Sequence, residues 1–258
     1  MQWLINQSLF VSFLIICIVT VGLSLGGLMF IRKKFPHERI KDNHDTASVI
    51  FNAYGLLYAV VVAFVVFVTW SSYDKAKMDS EIEANQLMDL FYLTNAYPDS
   101  IRFELQKQLI DYTKEITNNE WPMLASGEMS DAASEKVGTL WNSVLSVNTR
   151  SKIDENICES AFETMKNITE YRRLRMFAVR QTVPSIIWSV LLIGGILSLV
   201  CTYFFGMKNA LPQYMMTACF TIIITLMLYL IYVLDHCFTG ANAISNEPLR
   251  MVLEIMMK

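Results

Sequence analysis

An all-α, multi-pass membrane protein with four transmembrane helices and an inserted helical domain is predicted by three features of this sequence. Of its 258 residues, 53% are hydrophobic and only 17% charged, a balance rare in a wholly soluble globular chain. The apolar residues gather into four runs, about 9–30, 49–72, 183–205 and 213–234. As helix at about 1.5 Å per residue, each is long enough to cross a hydrocarbon layer of roughly 30 Å. Between the second and third runs the composition changes: residues 73–182 hold 18 acidic against 13 basic side chains, with apolar residues at amphipathic-helix spacing. The expected partition is therefore a first transmembrane pair over 1–72, an inserted soluble helical domain over 73–182, a second pair over 183–235 and a C-terminal tail over 236–258.

The first run begins within a stretch, residues 1–31, that has no charged side chain. It lacks the basic start, the shorter apolar core and the small-residue cleavage site of a secretory signal. It is expected to stay as the first span. The loop IRKKFPHERIKDNHDT that follows is polar, basic and Pro-containing, as suits a connection between antiparallel spans. His44 and Asp45 close it. With only His37 nearby and no cysteine, capping of the next helix by Asp45 or Thr46 is favoured over a metal site.

The second run organises the rest. No charge occurs from Thr46 to Tyr73. Gly55, Ala59 and Ala63 recur every four residues, a small-residue stripe where another helix can approach closely. Val60, Phe64, Phe67, Ser71 and Asp74 recur at alternating four and three, a line of larger residues ending in a hydroxyl and a carboxylate. Such a face can look onto a central axis. The same spacing also suits residues that face lipid or a neighbouring helix.

In the insert, helices are expected over about 74–96, 99–119, 130–148 and 151–180. Pro98, then Trp121-Pro122 with Gly127, then Asn148-Thr149 supply the breaks. Its carboxylates are expected on the solvated sides, so Glu81 with Glu83 is a poor candidate for paired-acid catalysis. Serine and histidine never meet in a nucleophile motif, and no glycine-rich loop follows a strand. The spans carry no ionisable group suited to intramembrane catalysis. No enzyme activity and no cofactor is expected. The five cysteines (Cys17, Cys158, Cys201, Cys219, Cys237) include no CxxC pair, so neither a disulfide framework nor a zinc site is indicated. The net charge of −3 and the absence of a basic, aromatic-interleaved patch exclude nucleic acid as a partner.

Spans three and four are joined by GMKNALP, short enough only for a hairpin between antiparallel neighbours. Pro184 is placed to start or bend span three. In the tail, Pro248 opens a short amphipathic helix expected to rest on the soluble domain or the membrane surface. Sidedness divides the charge evidence. Arg32, Lys33, Lys34, Arg39 and Lys41 favour a cytoplasmic first loop, whereas Lys75, Lys77, Arg172, Arg173, Arg175 and Arg180 favour a cytoplasmic insert.

The run FVVFVTWSSYDKAKMDSEIE, Phe64 to Glu83, resembles the end of the second membrane helix of bestrophins, where a Phe-bearing pore segment passes into residues like Ser72, Tyr73 and Asp74. DHCFTG, Asp235 to Gly240, is similar to the motif after the last bestrophin span. The bacterial bestrophin-like family is resembled further in His44-Asp45, in Tyr58 and Phe64 with the valines that follow, in Glu120-Trp121-Pro122, in Tyr203-Phe204-Phe205-Gly206, and in Asp235 with Phe238 and Pro248. The resemblance covers nearly the whole chain. It implies a four-span subunit in a homopentamer around span two, with a cytosolic helical domain, in a bacterial inner membrane. It also implies that Phe64 and Phe67 form a hydrophobic neck, with Ser71 and Asp74 at its cytosolic mouth. The sequence departs from animal bestrophins at Val68, Thr69 and Trp70, and lacks their acidic calcium clasp after Asp235, so calcium gating is not expected.

Two functions follow as expectations. One is a passive, oligomeric channel for small inorganic ions, anions among them, held among membrane lipids. The other is a membrane-anchored scaffold or signalling protein whose helical domain binds a partner.

Overall fold

The structure, a computed structural model, describes residues 9–34, 44–150, 155–204 and 209–258, and among these it contains helices and no strand. The helices are α1 (Leu9–Lys34), α2 (His44–Leu93), α3 (Asp99–Glu115), α4 (Trp121–Leu124), α5 (Asp131–Arg150), α6 (Glu155–Arg180), α7 (Ser185–Tyr203), α8 (Ala210–Asp235) and α9 (Glu247–Met256). Four of them, α1, α2, α7 and α8, are long and apolar enough to cross a membrane. The chain is an all-α, multi-pass membrane protein.

Helix α2 is a single element of 50 residues. Nothing between Gly55 and Pro98 is a glycine or proline, so the composition change at Tyr73 alters what the helix faces without breaking it. It ends in a 3₁₀ turn over Thr94–Ala96, with Tyr97 extended (φ −94°, ψ 156°), because Pro98 pushes its predecessor out of the helical region.

The chain divides into two compact units, Met1–Ser71 with Val183–Asp235, and Ser72–Thr182 with His236–Lys258. In the first unit α1 packs on α8 through hydroxyls as well as apolar side chains. Thr20 Oγ1 and Thr225 Oγ1 lie 3.0 Å apart, Thr221 Oγ1 bonds Ser24 Oγ at 2.9 Å, and Tyr203 Oη donates to the Ser24 carbonyl at 2.8 Å. Arg32 donates to Gln213. Short hydroxyls let helices approach closely in an apolar layer, where an unpaired polar group is expensive. Pro184 is the N-cap of α7, after a non-helical stretch; the Val183 amide freed there donates to Asp235 Oδ1 at 2.7 Å.

The tightest of the close helix contacts at glycines falls on Gly194 of α7. Tyr54 Oη donates to the Gly194 carbonyl and Tyr58 Oη to the Leu191 carbonyl, each at 2.9 Å. A Cβ added at Gly194 would lie 2.6 Å from the Tyr58 ring. Gly194→Ala is therefore expected to destabilise by about 1–3 kcal/mol, the usual range for forcing atoms into a packed contact. Gly55→Ala, where an added Cβ meets nothing within 4 Å, should be neutral or stabilise by up to about 1 kcal/mol through helix propensity. Thermal unfolding of the two purified variants checks the contrast.

The second unit has a core of Leu87, Leu90, Leu105, Leu109, Tyr112, Leu140, Met165 and Ile168, drawn from α2, α3, α5 and α6. Helix α9, opened by Pro248, buries Leu249, Val252, Leu253 and Met256 and packs on α3. The Asp235–Gly240 motif continues into this unit: Cys237 and Phe238 are buried with Ala76, Leu124, Met176 and Ile244. Trp121 meets Phe238 edge-on at 5.7 Å and donates to the Ile244 carbonyl at 3.2 Å. Gly240 takes φ +77°, a conformation that favours glycine.

The carboxylates do not all follow the solvated sides. Glu83 and Glu120 are fully buried, as is Arg175, with Arg172 at 7% exposure. Arg175 bridges the two acids, with Nε 2.7 Å from Glu83 Oε2 and Nη2 2.9 Å from Glu120 Oε1; Arg172 Nη2 lies 2.5 Å from Glu120 Oε2. The Trp121 ring lies 5.2 Å from the Arg175 guanidinium carbon. A π-helical turn over Ile116–Glu120 widens the helix after α3 and sets Glu120 inward. Burial pushes the Glu120 carboxyl up, and the hydrogen bonds and charges of Arg172 and Arg175 outweigh it, leaving the group below the ordinary range. Burial, with a smaller contribution from the nearby Cys158, pushes the Tyr97 phenol up to about 12.

Candidate functional site

Along α2 the subunit buries Val62, Val65 and Thr69, at 9%, 7% and 3% exposure. These pack against Leu191 of α7 and Ile231 of α8, with Tyr58, Ile187, Trp188 and Leu228 around them. Thr69 satisfies its hydroxyl by bonding back to the Val65 carbonyl at 2.9 Å. At about 3.6 residues per turn, Val60, Phe67 and Ser71 fall on the side of the helix away from that face, with Phe64 and Asp74 flanking them. Val60, Phe64 and Phe67 are 61%, 67% and 69% exposed, and Ser71 and Asp74 are exposed too. Among the described residues, no side chain of the chain covers this line. It is apolar through Phe67 and polar at Ser71 and Asp74, and Met78, 52% exposed, follows on the same side.

The small-residue stripe lies on a flank of α2, between the buried face and the exposed line. Gly55 is half-buried while Ala59 and Ala63 are exposed; among the described residues no helix seats on them. They form one wall of a cleft of about 650 Å³ whose other walls are Phe220, Ile223 and Met227 of α8 and Ser198 of α7. Among the described residues, close helix contacts are seen at Gly194 and Gly195, against Tyr54 and Tyr58, and at Gly27, against Tyr203. The adjacent glycines of α7 were the available signal.

His37 and the side chains of His44 and Asp45 lie outside the described residues. Among the described residues no three His, Cys, Asp or Glu side chains gather as a metal-binding group, and all five cysteines are free thiols.

The Bestrophin-like domain family profile matches residues 18–249. No curated protein matches the chain by sequence. Solved structures do match in fold. A bacterial bestrophin homolog from Klebsiella pneumoniae with an isoleucine-to-threonine substitution aligns with a TM-score of 0.72 at 10% identity, covering 96% of this chain and 100% of its own. The Klebsiella homolog phased on zinc aligns at 0.71 and 10% identity, over 95% and 97% of the two chains. A variant with a tyrosine-to-alanine substitution aligns at 0.71 and 11% identity, over 96% and 100%. With nine-tenths of its length matched by one family profile and its fold matched by these solved structures, this chain belongs to the bestrophin-like family.

Proposed function

We propose that this chain is one subunit of a homo-oligomeric channel, pentameric by its resemblance, that passes small inorganic ions, anions among them, along α2. The observation that carries the reading is the Val60, Phe64, Phe67, Ser71, Asp74 face. It points away from the subunit's own bundle and remains uncovered over the length of the span. In a ring of subunits that bury Val62, Val65 and Thr69 inward to themselves, this is the face left to surround an axis. Phe64 and Phe67 then make a hydrophobic constriction that conducts only when wetted, since an ion entering it sheds water with nothing polar to replace it. Ser71 and Asp74 supply a polar mouth where hydration is regained. On this reading the protein sits in the bacterial inner membrane among its lipids, with residues 73–182 on the cytoplasmic side.

Thiol labelling in liposomes tests the assignment in a chain whose five native cysteines are replaced. A charged methanethiosulfonate reagent should block flux through Val60→Cys, Phe64→Cys, Phe67→Cys, Ser71→Cys and Asp74→Cys. It should leave Val62→Cys, Val65→Cys and Thr69→Cys unmodified. Block that follows the second set, or no flux from oligomeric protein under any condition, removes α2 as the pore helix.

A further inference from the structure

The cleft beside the small-residue stripe is apolar apart from Asn52, the Tyr58 phenol, which is bonded to the Leu191 carbonyl, and a serine hydroxyl that none of them answers. Ser198 is fully buried, lines the cleft, and its Oγ has no hydrogen-bond partner among the described residues. Serines in helices ordinarily bond the carbonyl one turn back. Here the Gly194 carbonyl instead accepts from Tyr54 Oη at 2.9 Å. A volume of about 650 Å³ is within the range of sites that hold small molecules, roughly 300–1,000 Å³.

We propose that this cleft binds a membrane-dissolved single-chain amphiphile, an apolar chain ended by a hydroxyl or carbonyl group that pairs with Ser198. Three candidate occupants of an intramembrane cleft differ in what they offer that hydroxyl. A plain acyl segment of bulk lipid offers nothing. A neighbouring helix has its backbone groups bonded within itself, so it answers Ser198 only through a polar side chain. An amphiphile brings one polar end and fills the remainder with methylenes, the composition this cleft presents in complement. Ser198 lies five residues before the end of α7 at Tyr203, about 7–8 Å along the axis at ~1.5 Å per residue. A polar end entering from that side need not traverse the apolar layer. The bare flank at Gly55, where an added Cβ would touch nothing, leaves room for the chain, and the unbranched side chain of Met227 adapts to its contour. Binding here does not depend on ion conduction and is read without it.

The experiment uses full-length protein in nanodiscs with two photoactivatable probes, a diazirine-bearing hexadecanol and its hydroxyl-free hexadecane counterpart. Adducts of the alcohol should map to the cleft segments of α2, α7 and α8, and unlabelled hexadecanol should compete saturably. Ser198→Ala should weaken that competition about fivefold, the scale of one neutral hydrogen bond, while labelling by the alkane stays unchanged. Ala59→Phe, which fills the cleft, should abolish labelling by both probes. If Ala59→Phe fails to assemble on size exclusion, the alcohol-against-alkane comparison in Ser198→Ala decides alone. Equal behaviour of the two probes in the parent and in Ser198→Ala overturns the proposal. So does loss of labelling together with disulfide cross-linking of Ala59→Cys to a second copy, which makes the cleft a seat between subunits.

Discussion

Arg175→Met is expected to lower the stability of the second unit by about 3–5 kcal/mol, the cost of removing one partner from a buried ion network. The guanidinium is held at zero exposure between Glu83 and Glu120, and methionine matches its bulk without its charge. Arg172 still pairs with Glu120, so the penalty concentrates on a carboxylate left dry and unanswered. Against the 5–15 kcal/mol that holds an ordinary domain folded, this is a large fraction. Asp99→Asn, which removes a surface pair with Arg102 whose acid is 78% exposed, should cost about 1 kcal/mol or less. The pH dependence separates a lost ion network from lost packing. Because the folded Glu120 carboxyl is held below its ordinary range, its contribution is present at neutral pH. That contribution is lost as pH falls below the unfolded value of about 4.3 and through the folded one. In Arg175→Met a protonated acid is cheaper to bury than a carboxylate without its cation, so the melting difference between parent and variant should narrow on acidification. A difference independent of pH, by calorimetry in detergent from about pH 2.5 to 8, a range that reaches below the ordinary carboxylate value of about 4.3, would attribute the loss to packing alone.

That network marks the boundary of what the sequence made legible. The four spans, the insert, the start of α7 at Pro184 and the opening of α9 by Pro248 follow from runs of apolar residues and from prolines, both local in sequence. Glu83 was expected on a solvated side because charged side chains are ordinarily solvated. Yet the phase of the apolar stripes carried the correction. On α2 the buried positions run Ala76, Ser80, Glu83, Leu87, Leu90; on α6 they run Ala161, Met165, Ile168, Arg172, Arg175. Each charge stands where the three-four spacing requires a core residue, and two opposite charges in register on different helices are the signature of an internal pair. Glu120 had no such signal, since the π-helical turn that aims it inward shifts the phase after α3. The Gly55, Ala59, Ala63 stripe shows the converse limit. Spacing shows that a close approach is allowed, while the element that comes close depends on bundle geometry, and within this chain the close approach is made at Gly194 by Tyr58.

Flux through Phe64→Ala plus Phe67→Ala should exceed that of the parent by about tenfold or more, and this is the largest functional effect expected of any pair on α2. The two rings are among the most exposed large side chains of the span, so truncating them removes little of the subunit's own packing. In an oligomer each substitution is repeated around the axis, and every copy both widens the constriction and removes apolar surface that favours dewetting. A tenfold gain requires lowering the barrier by only about 1.4 kcal/mol, a small demand on several rings removed together. Val62→Ala plus Val65→Ala provides the contrast. Those side chains pack against Leu191 and Ile231, so their loss should lower thermal stability by about 1 kcal/mol or more each with little change in flux per folded oligomer. Liposome flux normalised to reconstituted oligomer measures both. If widening at Phe64 and Phe67 leaves flux unchanged while the valine pair alters it, the constriction lies on the other side of α2, and the exposed line is a lipid-facing surface.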